Sequence, residues 1–319
     1  MIWKKIPVKT VDGETVLAQA PLIVSASRAT DIPAFHAAWL LQRLKEGYAL
    51  WKNPYNGKFL YVSFSRTRVI VFWSKNPGPL LDCLDEIREI IPNFYFQYTL
   101  NDYEPEKIEA GLPPLKQRIE TFIRLSEKIG KEKVVWRFDP LILTETVGVD
   151  ELLKKVETVG NQLKKYTDKM VFSFVDIGVY RRVQRNLSKS AHKYREFDED
   201  SMRMFAKGLS RLNESWRFEI GTCAEKIPLE EYGIKHNKCI DGELMIKLFP
   251  EDKALTDFLG ADTDRGEASL FPAMRRDRLK DKGQRPLCGC IASKDIGMYN
   301  TCPHLCEYCY AISGITGPC

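Results

Sequence analysis

Three cysteines near the end of the chain, Cys302, Cys306 and Cys309, stand at Cx3Cx2C spacing within Cys302-Pro303-His304-Leu305-Cys306-Glu307-Tyr308-Cys309. Thiolates suit soft metals, and three of them on one tight loop can each bind one iron of a [4Fe–4S] cubane. The fourth iron is then left open to solvent or to a substrate. Zinc is the competing metal. A closed zinc site wants four ligands in a tetrahedral array, and His304 can complete that set only from inside the same tight loop. A second group is built around Cys288-Gly289-Cys290, a Cx1C pair in a loop bounded by Gly and Pro. With Cys223 and Cys239 it makes four thiolates, enough to close an auxiliary cluster on every side. The alternative for Cys223 and Cys239 is burial as small apolar residues, a common fate of free cysteine. Six of the nine cysteines lie from Cys288 onward. In a reducing compartment that clustering points to metal or redox chemistry and away from disulfides.

A second set of reactive side chains falls where short β-rich runs end. Ser25-Ala26-Ser27-Arg28-Ala29-Thr30-Asp31 follows the first run, Ser74-Lys75-Asn76-Pro77 the second and Thr99-Leu100-Asn101-Asp102-Tyr103 the third. Arg137 and Asp139-Pro140 close the fourth, Asp176 and Tyr180 follow the fifth, and Thr222-Cys223-Ala224-Glu225 the sixth. Ser, Asn and Asp favour turns and caps for local reasons. Arg28, Lys75 and Arg137 are not turn formers, so with Asp31 and Asp139 they are the candidates for contacts to substrate or cofactor, and Glu225 is a weaker one.

The elements that must position these groups alternate. The β-rich runs are Leu22–Ser27, Val69–Trp73, Phe94–Thr99, Val134–Phe138, Met170–Val175 and Trp216–Ile220. Between them, apolar residues recur at helical spacing, as in Leu80, Leu84, Ile87 and Ile91, or Leu152, Val156 and Val159. Asn53-Pro54-Tyr55-Asn56-Gly57 between two apolar runs reads as a hairpin. Strand–helix alternation of this length predicts a parallel sheet and an α/β fold, specifically a (β/α) TIM-like barrel, complete or partial. Polar groups at the carboxyl ends of its strands would then converge on one mouth. After residue 253 periodicity fades and Gly, Asp, Arg and Cys accumulate. The expected division is therefore a barrel over 1–253 and a cysteine-rich iron–sulfur extension over 254–319, packed on it.

Composition narrows the class. The 319 residues are 44% hydrophobic, enough for a sizeable core, and the formal charge of +5 permits a phosphate-rich partner without demanding one. No apolar stretch follows Met1-Ile2-Trp3-Lys4-Lys5, and no run of about 18 apolar residues occurs, so a cytoplasmic protein with no membrane segment is expected. Between Tyr180 and Arg195 there are six basic residues and no acidic one. Flanked by Tyr180 and Tyr194, the run suits a nucleic-acid backbone and its bases. The plainer reading is a solvated face neutralised by Glu196, Asp198, Glu199 and Asp200, which follow directly. A further basic run spans Arg275 to Arg285.

The cysteine loop resembles the Cx3CxΦC signature of the radical S-adenosylmethionine (SAM) superfamily, with Tyr308 as the aromatic Φ. The whole chain resembles the domain of unknown function 1848 family. The residues that carry this likeness are Arg28–Phe35, Phe72-Trp73-Ser74-Lys75-Asn76-Pro77, Trp136-Arg137-Phe138-Asp139-Pro140 and the cysteine-rich tail. The radical SAM likeness implies an oxygen-sensitive enzyme. It would hold a [4Fe–4S] cluster on Cys302, Cys306 and Cys309, bind SAM at the open iron and take electrons from a flavodoxin or ferredoxin. Its substrate is unnamed, with nucleic acid or a phosphate-bearing molecule among the expectations. The departure from that superfamily is position, since its triad usually follows the first barrel strand and here it lies near the last residue. Two other readings stand beside it: a non-catalytic iron–sulfur electron relay or sensor, and a zinc-stabilised protein that binds nucleic acid.

Overall fold

The structure is a computed structural model that describes residues 3–260 and 279–313. The chain forms two compact units that alternate along it. The first comprises Met1–Trp73, Pro79–Tyr95 and Lys238–Met298, and the second Ser74–Gly78, Phe96–Asn237 and Tyr299–Cys319.

In the first unit the opening residues form a four-stranded sheet. Lys4–Lys9 pairs antiparallel with Thr15–Ala20, which runs parallel to Phe59–Ser63, which in turn pairs antiparallel with Tyr48–Lys52. The last pair is the hairpin expected around Asn53–Gly57, and Gly57 there takes a positive φ of 69° that a side chain would resist. Three strands of the parallel sheet follow, with Ile23–Ala26 between Val69–Ser74 and Lys294–Asp295. The Ala37–Glu46 helix buries Leu40 and Leu44 and stops at Gly47 in the left-handed conformation, which no β-carbon opposes.

The second unit holds five parallel strands in the order Ile234–His236, Glu219–Thr222, Lys169–Phe174, Val134–Leu141 and Asn93–Thr99, the last counted from Phe96. Val134 to Phe138 are buried without alternation, the pattern of a strand covered on both faces. Two long amphipathic helices belong to this unit. Val149–Leu163 buries Leu152, Val156 and Val159, and Glu199–Trp216 buries Phe205, Leu209 and Trp216. They approach closely at Gly160, where a β-carbon would stand 2.6 Å from the Trp216 ring. Trp136, fully buried, meets Trp216 and Phe218 edge-on at 6.4 and 6.0 Å. Each buried aromatic of this kind contributes roughly 1.5–3 kcal/mol of transfer free energy.

Eight parallel strands bear out the α/β class of the expected complete or partial barrel, and among the described residues no pairing joins them into a ring. Ile234–His236 and Lys294–Asp295, the strands at the two ends of the sheet order, have three and two residues, and each pairs with a single neighbour among the described residues. Both escaped the sequence reading because such short runs carry no periodicity. The sixth expected strand begins later, at Glu219, because Trp216 is the last residue of a helix that ends at Arg217 in the left-handed region, φ 60°. Of the stretch from 254 onward, residues 261–278 and 314–319 lie outside the described residues, and with them Cys319 and the first part of the Arg275–Arg285 run. Residues up to Met298 group with the first unit and those from Tyr299 with the second. No helix among the described residues is long and apolar enough to cross a membrane.

Candidate functional site

The cysteine loop belongs to the second unit, where a short segment before the Leu115–Ile129 helix holds it. Glu109 and Cys306 form an antiparallel bridge, Glu307 N donates to Ile108 O at 3.0 Å, and Gly111 N donates to His304 O at 2.9 Å. Gly111 is required by this approach, since a β-carbon there would stand 2.4 Å from the Pro303 carbonyl oxygen. The loop is secured on its other flank by Asn186, whose Nδ2 donates to Cys309 O at 3.0 Å, and by the Tyr194 hydroxyl, which donates to the Glu307 carboxylate.

At the centre of the site Glu109 Oε1 accepts from three donors. They are Lys75 Nζ at 2.7 Å, Asn101 Nδ2 at 3.0 Å and the Tyr308 hydroxyl. Lys75 also donates to Tyr308 Oη at 2.7 Å, and Asn101 to the same atom at 3.1 Å. Arg118 approaches the second Glu109 oxygen at 3.8 Å and donates to Asn101 O at 2.9 Å. Burial works to raise the Glu109 pKa, but Lys75 and Arg118 outweigh it and hold the carboxyl below its ordinary value. Burial likewise works to lower that of Lys75, yet Glu109 and then Cys306 raise it above the usual range. Both partners are therefore charged. A cavity of about 290 Å³, lined among others by Glu104, Lys107 and Pro113, borders this network at Glu109 and Arg118.

Arg137 and Asp139 form a neighbouring pair on the Val134–Leu141 strand. Arg137 donates to the Asp139 carboxylate and to Gln97 Oε1 at 3.2 Å, and Ser173 donates to the other Asp139 oxygen. Burial pushes the Asp139 carboxyl upward, and Arg137 with the Ser173 hydrogen bond brings it below its usual value, with a further contribution from Lys75. Asn101 links the two groups, accepting from Asp139 N at 2.9 Å. Lys75, Arg137 and Asp139, read from strand ends, thus come together, and Lys75 lies within electrostatic reach of Cys306.

The other expected residues lie elsewhere in the chain's two units. Arg28 and Asp31 belong to the first unit. Arg28 N donates to Asp295 Oδ2 at 2.8 Å, its guanidinium faces Asp281 at 3.6 Å, and Asp31 caps the Ile32–Phe35 helix. Glu225, in the second unit, accepts from Phe174 N at 3.0 Å. Of the four cysteines read as an auxiliary set, Cys239, Cys288 and Cys290 are buried in the first unit, and Cys223 ends a strand in the second. Cys290 Sγ accepts from Cys239 N at 3.2 Å and Ile240 N at 3.4 Å, and it interacts with the thiols of Cys239 and Cys288.

Among the described residues, no three His, Cys, Asp or Glu side chains converge in a way that could hold a metal ion. The donor chemistry of the cysteine loop fits a three-thiolate cluster, in which each sulfur binds a different iron. Cys302, Cys306 and Cys309 form no disulfide among the described residues, Cys306 lies within electrostatic reach of the other two, and Ala311 N points at Cys309 Sγ at 3.4 Å. Burial drives the Cys306 thiol well above its usual pKa, and the ammonium of Lys75 opposes that rise.

A family model described as a domain of unknown function, DUF1848, matches residues 23–311. The chain belongs to the DUF1848 family. The match takes in the cysteine loop and the Lys75, Glu109, Arg137 and Asp139 positions of this DUF1848 protein. No curated protein matches it. A solved Bacteroides thetaiotaomicron structure, described as an alpha-L-fucosidase, is similar at 13% identity over 61% of this chain and 74% of that one, with a TM-score of 0.25. A score at that level carries no argument for fold or activity.

Glu109, Arg118 and Ser173 were not singled out from sequence. Glu109 sits in an ordinary charged loop, Glu104 to Glu109, and nothing local distinguishes a buried carboxylate from its solvated neighbours.

Proposed function

We propose that this DUF1848 protein is an iron–sulfur enzyme of the radical SAM type, with a [4Fe–4S] cluster on Cys302, Cys306 and Cys309. The observation that carries the proposal is the grip of Lys75 and Glu109 on Tyr308, which ties a three-cysteine loop to polar strand ends. Cys302, Cys306 and Cys309 would hold such a cluster, and it would supply the electron, drawn from a flavodoxin or ferredoxin, for reductive cleavage of SAM.

The chain's own residues act around that chemistry. Lys75 places a positive charge beside the thiols and offsets the charge that three thiolates accumulate. Tyr308, held at its hydroxyl from two sides, orients the loop's last turn. The Arg137–Asp139 pair presents a fixed dipole next to Lys75, suited to the ammonium and carboxylate ends of an amino acid moiety. These roles rest on the second unit's residues alone.

The test is made on protein purified without oxygen. About four irons and as many sulfides per chain, an EPR signal altered by SAM, and formation of 5′-deoxyadenosine are the expected results. Zinc in place of iron, or a cluster indifferent to SAM, overturns the reading. The buried thiols of Cys239, Cys288 and Cys290 favour a second one, an iron–sulfur relay or sensor with two centres, which predicts about eight irons and reversible redox without SAM cleavage.

A further inference from the structure

We propose that the surface formed by the Arg181–Leu187 helix and the rings of Tyr180, Tyr299 and Tyr310 binds single-stranded nucleic acid at the edge of the cysteine loop. All of these residues belong to the second unit. The assignment deepens the proposed function by naming its substrate class, and the binding itself does not require the cluster.

The basic helix carries charge that no described acidic residue pairs with. Sequence alone allows the acidic stretch after Arg195 to cancel the basic run before it, and the structure engages those acids elsewhere. Glu196 accepts from Gly178 N, Asp198 caps the Glu199–Trp216 helix through Ser201 N, and Glu199 and Asp200 occupy that helix's first turn, where its dipole favours them. Lys193 and Arg195, at the far end of the run, do lie near carboxylates, those of Glu145 and Asp198. Arg181, Arg185 and Lys189 are exposed and make no ion pair among the described residues.

Aromatic rings lie beside those cations. Tyr180 and Tyr310 are stacked at 5.9 Å with 26° between their planes, and Tyr299 meets Tyr310 edge-on at 6.5 Å. The Arg182 guanidinium lies 5.2 Å from the Tyr299 ring centre and donates to Tyr310 O at 3.4 Å. Tyr310 is 40% exposed and follows Cys309 directly, and Asn186 of the basic helix donates to Cys309 O and Ile312 O. The surface is therefore anchored to the loop it borders. A single strand uses both features at once, phosphates on the cations and unpaired bases on aromatic faces. An acidic peptide would use the cations alone, and a duplex keeps its base faces stacked inside.

The experiment measures fluorescence anisotropy of a labelled oligothymidylate of about 12 nucleotides, with the full chain both iron-loaded and iron-free. An abasic strand of equal length, inorganic phosphate and thymidine monophosphate serve as competitors. With three phosphate contacts, affinity is expected to fall about twentyfold between about 50 and about 200 mM salt. The double charge reversal Arg181→Glu with Arg185→Glu is expected to weaken binding at least about tenfold and to flatten the salt dependence. Tyr310→Ala is expected to weaken the oligothymidylate about fivefold or more while sparing the abasic strand. No binding at the lowest salt, or binding indifferent to the charge reversal, overturns the proposal. An abasic strand that binds equally well, or a monophosphate that displaces the strand at equal concentration, replaces it with a simple anion site. Iron content and 5′-deoxyadenosine are read on the same samples, so strand binding that survives without cluster chemistry sinks the enzyme reading and leaves this surface standing.

Discussion

The Lys75 ammonium donates to Tyr308 Oη and to Glu109 Oε1, each at 2.7 Å, although Tyr308 lies 233 residues further along the chain. The Lys75 side chain is 17% exposed and that of Glu109 3%, so neither charge is left to water. Removing one partner strands the other as an uncompensated buried charge. Glu109→Leu or Lys75→Met is expected to cost about 3–5 kcal/mol of unfolding free energy, and the double variant less than the sum. Denaturant titration of all four proteins gives the coupling directly. Additive losses would mean that the pair is screened and does not hold the loop.

The approach of the loop to Gly111 leaves no room for a methyl group. Gly111→Ala is expected to cost about 1–3 kcal/mol, because the Pro303 and His304 backbone must give way. Iron retained after anaerobic reconstitution should fall with it. Unchanged iron together with unchanged stability would show that the loop sits clear of residue 111.

The two groups of thiols are expected to separate by mutation. Serine at Cys302, Cys306 and Cys309 together should abolish any SAM-dependent EPR change. Cys290→Ser should leave that change in place and, if the first unit carries its own centre, lower iron from about eight to about four per chain. Loss of the SAM response in Cys290→Ser would reverse the assignment of the two groups.

Lys294 supplies a pH test in the first unit. Its ammonium lies 3.0 Å from the Trp51 ring centre, and burial lowers its pKa from 10.5 to about 8, against the pull of Asp295. A lysine pKa depressed by folding makes the protonated form a destabilising one. The cost is present in full below 8 and is relieved as pH rises towards 10.5, where the unfolded chain also loses the proton. Lys294→Met is thus expected to be more stable than the wild-type chain at neutral pH, with the difference shrinking as pH rises through that window. Urea midpoints for both proteins across the range check this, and a constant difference would place the ammonium in solvent.

Much of the architecture is local and was legible. Five of the six strands read from β-rich runs fall where expected, as do the Asn53–Gly57 hairpin and the helix over Val149–Leu163. Their signals, periodicity and turn chemistry, act over a few residues. The ends of the sheet were not legible, because they are two- and three-residue edge strands that no pattern announces.

The same boundary runs through the site. By itself the sequence placed three thiols on one loop, because Cx3Cx2C spacing is set by neighbouring residues, and it marked Lys75, Arg137 and Asp139 as cations and anions at strand ends. Only the tertiary structure decided that Glu109, from an unremarkable loop, neutralises Lys75 and grips Tyr308. It also decided that Glu196 and Asp198 bind backbone donors, so that Arg181 and Arg185 have no acidic partner among the described residues. The reason is physical: a charge's partner is whatever the fold brings within a few ångströms, and separation along the chain does not encode that distance.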